Sequence, residues 1–123
     1  MNAERFVQAL QDAVVRDNLA VYADLFRMSP DQAVDPHWVR ALSLFQALDE
    51  NGKATLMDIV CQVMVETTAN LLGIADGCCP VAGVKGSVGL VVDGRSIGGD
   101  LQELFLELNE LNEAADEGVR RLA

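Results

Sequence analysis

Apolar residues recur every three or four positions along most of this chain, the period of one face of an α-helix. The first run, Ala3 to about Arg16, sets Phe6, Leu10 and Val14 at four-residue steps. Asp17-Asn18 reads as a break or kink, after which Leu19, Tyr22, Leu25 and Phe26 continue a stripe to Ser29-Pro30. A residue before proline disfavours the α region, so the helix ends there. Asp35-Pro36 restarts one, because the carboxylate can cap first-turn amides and the proline needs no N–H in that position. Trp38, Leu42, Phe45 and Leu48 then mark a buried face, and Asp49 to Gly52 forms a short connection that can cap the next helix.

That next helix, predicted over about Lys53 to Ala75, carries Leu56, Ile59, Val60, Val63, Met64, Thr67, Leu71 and Ile74 on a wide apolar surface. Met57, Cys61 and Val65 extend it on the flank. A helix apolar over most of its circumference is expected to be surrounded by other elements. Gly77 suits a left-handed cap at its end. The pattern then changes: six of the ten glycines lie between Gly83 and Gly99. Ser87 to Val92 is strand-like, Asp93-Gly94 is a two-residue hairpin turn, and Arg95 to Ile97 returns. A last helix starts at Asp100, with Asp100 and Glu103 as an approximate capping box and Leu101, Leu104, Phe105, Leu108 and Leu111 as its buried stripe. The expected class is α+β, mostly α. Four to five helices pack around a central helix at about 53–75, with one small antiparallel β-hairpin at about 86–97. The 123 residues fit one domain.

Composition adds charge to this picture. Nineteen acids against nine Lys and Arg leave a net charge of −10, which repels nucleic acid and anionic membranes and favours basic partners, although plain solubility explains it as well. The acids are concentrated near the end. Asp100, Glu103, Glu107, Glu110, Glu113, Asp116 and Glu117 occur with no Lys or Arg between Ser96 and Val119. Near a helix N-terminus such acids are favourable, but those farther along repel one another, which fits an acidic face kept for a partner. The N-terminal residues lack a signal-peptide layout, and the window from Leu56 to Ala75 holds too many polar groups for a lipid-facing span. A cytoplasmic protein is the expectation.

Candidate chemistry is sparse. Asp58, Gln62, Glu66 and Asn70 recur every four residues as a ridge on the central helix, which lines a ligand cleft or forms its narrow solvent face. Asp58 and Glu66 stand about 12 Å apart along the axis, too far to act together as acid and base. His37 is the only histidine and supplies one metal ligand at best. No GxSxG elbow is present, and in Gly83 to Gly89 the order of Lys85 and Gly86 is wrong for a phosphate loop. Cys61 reads as a small core residue, and a bridge between the adjacent Cys78 and Cys79 would be strained. No catalytic residue, metal or cofactor is expected.

Three stretches resemble a group of small uncharacterised bacterial proteins, often orphan genes on mobile elements or cassettes: Asp35 to Trp38, Glu66 to Gly77 and Gly99 to Leu108. The resemblance spans roughly Asp35 to Leu108 and implies a shared fold, with no activity to transfer. Residues and charge together lead to a non-catalytic acidic interaction protein, a homodimer contacting through its hairpin or acidic helix. Its specific form is an immunity or antitoxin-like protein, or a cassette accessory protein, that masks a basic partner. The alternative is a small-molecule binder with a pocket beside the central helix. Gln62, Glu66 and Asn70 would serve the pocket, and Glu103, Glu107 and Glu110 the partner.

Overall fold

A computed structural model describes the backbone of residues 1–122 and the side chains of residues 1–114. The mostly helical α+β architecture expected from the pattern is the one observed. Helix α1 (Ala3–Leu10) runs without interruption through a π-helical segment (Gln11–Arg16) into α2 (Asp17–Phe26). Of the break or kink expected at Asp17-Asn18, the break is absent, and wider turns lie just before it, with the Asp17 amide bonding the Asp12 carbonyl. Asn18 instead donates from its side chain to the Val14 carbonyl at 2.9 Å. Val7, Gln11 and Val15 are the buried row here, whereas Phe6, Leu10 and Val14 are half-buried beside it.

The chain leaves α2 at Ser29-Pro30 through a single 3-10 turn. Helix α3 (Pro36–Ala47) starts as anticipated, with Asp35 Oδ1 accepting from the His37 amide at 2.9 Å. Helix α4 (Glu50–Ala75) begins three residues before its predicted start, because Asp49 Oδ1 caps the Gly52 amide at 2.7 Å. It ends on Gly77, whose φ of 80° is the left-handed conformation that suits glycine. The Gly77 amide bonds the Ile74 carbonyl and the Cys78 amide reaches the Gly73 carbonyl, which is a Schellman closure.

The hairpin is shorter than expected. Strand β1 (Val91–Val92) pairs antiparallel with β2 (Arg95–Ser96), with Val92 opposite Arg95 across the predicted turn. Asp93 and Gly94 both have positive φ, as a type I′ turn requires. One further bond, from the Ile97 amide to the Leu90 carbonyl, extends the pairing. Helix α5 (Leu101–Leu122) then packs on α4 and α1.

Two clusters hold the elements together. Val7, Val15, Ala69, Leu72, Leu101 and Phe105 form the main core between the first helix, the C-terminal half of α4 and the start of α5. A second cluster joins α2 to α3, where Leu42 is buried and Tyr22, Phe26, Trp38 and Phe45 make a chain of ring contacts. Among the described residues, no helix is long and apolar enough to cross a membrane.

Candidate functional site

Helix α4 carries two apolar stripes, each at the 3- and 4-residue steps of one helical face. Cys61, Met64, Val65, Thr68, Ala69, Leu72 and Gly73 face the molecule's interior as buried or half-buried residues. Leu56, Ile59, Val60, Val63, Leu71 and Ile74 lie around the other side, where Ile59, Val63 and Leu71 remain 51%, 56% and 63% exposed. Neighbouring elements pack on this helix as expected, α5, α2 and the π-helical segment among them, but they leave this side open. The side turned inward carries the smaller residues, because small side chains let α5 approach. A Cβ built on Gly73 would stand 2.8 Å from Cys79 Sγ and 2.9 Å from the Gln102 amide group.

The polar ridge follows the outer side of the helix. Asp58, Gln62, Glu66 and Asn70 are all exposed, and Gln62 Nε2 donates to Glu66 Oε1 at 3.0 Å. Gln62, Glu66 and Asn70 therefore stand as a solvent-facing row and do not converge as the wall of a cleft. None of the three lines either of the concavities described below. On α5, Glu103, Glu107 and Glu110 are exposed along one face, and Glu113 is exposed beside them. The side chains of these four, and that of Asn70, make no hydrogen bond or ion pair among the described residues. The side chains of Asp116 and Glu117 lie outside the described residues.

The start of α5 is capped by a residue that local reasoning missed. Asp76 Oδ1 accepts from the amides of Gly99 (2.8 Å) and Leu101 (3.0 Å), and Oδ2 accepts from that of Gln102 (2.9 Å). One carboxylate at the end of α4 thereby takes the capping role assigned from sequence to Asp100. Asp100 contributes its backbone carbonyl, which accepts from the Leu104 amide. Position 76 was visible only as the residue before a helix-ending glycine.

The thiols lie beside this junction. Cys78 is exposed and Cys79 half-buried, and Cys78 Sγ donates to the Gly73 carbonyl at 3.4 Å. Partial desolvation, then the neighbouring Cys79 and the Asp76 carboxylate, push the Cys78 thiol above its ordinary value, which disfavours the reactive thiolate. His37 is exposed and packs edge-on against Trp38 at 5.5 Å. Among the described residues, no group of three or more His, Cys, Asp or Glu is placed to hold a metal ion.

Two concavities among the described residues border the aromatic cluster. A cavity of about 200 Å³ lies between the end of α2, the 3-10 turn and α3, walled by Leu25, Met28, Trp38 and Leu42. A more open cleft of about 370 Å³ lies between α2, α3 and the first two turns of α4. Sequence periodicity gave no sign of either, because each is assembled from residues on three separate segments. No protein-family model, curated protein or solved structure matches this chain.

Proposed function

We propose that this is a non-catalytic interaction protein that pairs with a second copy of itself through the outer face of α4 and offers the acidic face of α5 to a basic partner. The observation that carries the reading is the exposed row of Ile59, Val63 and Leu71. Ile59 and Val63 stand one helical turn apart, with Leu71 two turns beyond across the exposed Thr67, and such an apolar row on a helix face supports a contact site. Self-association is compatible with the net charge of −10, because Glu66 is the one charged residue among these side chains and Asp58 sits on the flank. The carboxylates that repel another copy are concentrated instead on α5, where Glu103, Glu107 and Glu110 have no ion-pair partner among the described residues. A basic partner complements that face, and masking of a basic toxin is the specific form of this reading.

Paramagnetic relaxation by a soluble gadolinium chelate tests the α4 contact directly. In the pair, the methyl groups of Ile59, Val63 and Leu71 are expected to be shielded like those of the core residue Leu101. Relaxation as strong as at Val34, which is 96% exposed, would overturn it.

A further inference from the structure

The 370 Å³ cleft falls within the usual range for small-molecule sites, which are mostly apolar with a few convergent polar groups. Its floor is aromatic. Phe26 of α2 and Phe45 of α3 stack there at 4.5 Å and 21°, and Met57 of α4 lies beside them. All three are half-buried, so part of their apolar surface remains open.

The rim brings together Arg27, just past α2, and Lys53, the one basic residue of α4. In a chain with only nine Lys and Arg, two of them converge on one aromatic floor from different segments. Lys53 Nζ lies 5.5 Å from the centroid of the Phe45 ring. Its side chain is only 31% exposed, while the Glu50 carboxylate 3.6 Å away is on a side chain 94% exposed. Arg27 pairs with Asp24 at 2.8 Å, and that pair is also largely in water. Exposed ion pairs of this kind contribute little, so a ligand can replace either carboxylate at small cost. A carboxylate arriving on an apolar body gains a shielded, charge-assisted hydrogen bond while its body covers the phenyl rings. An amine of the same shape would meet Lys53 and Arg27 at the rim, where Glu50 also lines the cleft but keeps its side chain 94% exposed.

We infer that this cleft is a binding site for a small amphiphilic anion: one carboxylate on a compact aliphatic or aromatic body, with Lys53 and Arg27 holding the head group and Phe26, Phe45 and Met57 the body. The site is independent of the outer face of α4 and of the acidic face of α5.

Octanoate, octylammonium and octanol, which share one chain and differ in head group, are titrated separately into the full-length protein. The Met57 methyl resonance reports occupancy. Octanoate is expected to move it, with an apparent affinity at least tenfold above that of octylammonium. Lys53→Met keeps the aliphatic stem and is expected to weaken octanoate about tenfold while leaving octanol unchanged. Arg27→Gln, at a mostly exposed position, is expected to act in the same direction and provides the test if the first variant fails to fold. Equal binding of all three probes, an unmoved Met57, or octanoate affinity unchanged in the folded variants would overturn the proposal.

Discussion

The Asp76 carboxylate accepts three backbone amide bonds from residues 23 to 26 positions farther along the chain. It therefore does the work of a helix cap and of a tether between α4 and α5. Substituting a capping residue by alanine usually costs about 0.5–2 kcal/mol, and bonds to a charged acceptor lie toward or above the top of that range. Asp76→Ala is accordingly expected to lower unfolding stability by about 2–3 kcal/mol, read from the midpoint in urea. Asp76→Asn keeps one carbonyl oxygen and should lose roughly half as much. A midpoint unchanged in the alanine variant would mean that water replaces the carboxylate without loss. The Cys78 thiol gives a second expectation at this scale. Its elevated value means that the folded chain holds the proton where the unfolded chain releases it. The associated stability is present below the ordinary thiol range and is lost as pH rises through the folded value. Carbamidomethylation of Cys78 followed against pH should show a midpoint above that of the same segment as a free peptide. Because the Asp76 charge contributes to the elevation, Asp76→Asn should lower the midpoint.

At the scale of elements, the contact between α4 and α5 depends on what is missing at Gly73. Alanine in a helix interior is ordinarily better than glycine by about 0.5–1 kcal/mol. Here the added methyl would meet Cys79 Sγ and the Gln102 amide below 3.0 Å, and overpacking typically costs about 1–3 kcal/mol. Both obstructing groups end side chains, and the flexible Gln102 amide can move aside at small cost, so the overpacking and the helix gain largely offset. Gly73→Ala is expected to change unfolding stability by no more than about 1 kcal/mol. A loss of several kcal/mol would show that the side chains at Gly73 do not give way.

Legibility in the sequence follows the distance over which each feature is decided. The Asp93-Gly94 turn, the Asp35-Pro36 start and the Gly77 ending rest on the conformational needs of one or two residues, and each was readable. The Asp76 cap is a contact between segments, and a local capping-box rule assigned it to Asp100 instead. Helix α4 has apolar residues nearly all round, so periodicity could identify a helix but could not choose which stripe faces inward. The polar ridge was readable as a ridge, though its neighbours were not. The aromatic cleft was invisible because Phe26, Phe45 and Lys53 come together only when α2, α3 and α4 pack.

For the whole molecule, the proposed association rests on the large side chains left outside on α4 and the carboxylates clustered on α5. The two surfaces separate in their response to salt. Apolar pairing on α4 is expected to survive high ionic strength, whereas attraction between α5 and a basic partner is screened over a Debye length of about 8 Å at physiological salt. Placing a carboxylate in the centre of the α4 row leaves a buried, unpaired charge in the paired state, at a cost of several kcal/mol. In the separate chain the same carboxylate stays in water, because Val63 is exposed there. The most direct measurement is therefore the solution mass by light scattering of the wild-type chain and of Val63→Glu, each confirmed as folded by circular dichroism. Pairing through α4 predicts about twice 13.2 kDa for the wild type and 13.2 kDa for the variant. A wild-type mass of 13.2 kDa, or a variant that still pairs, would contradict it.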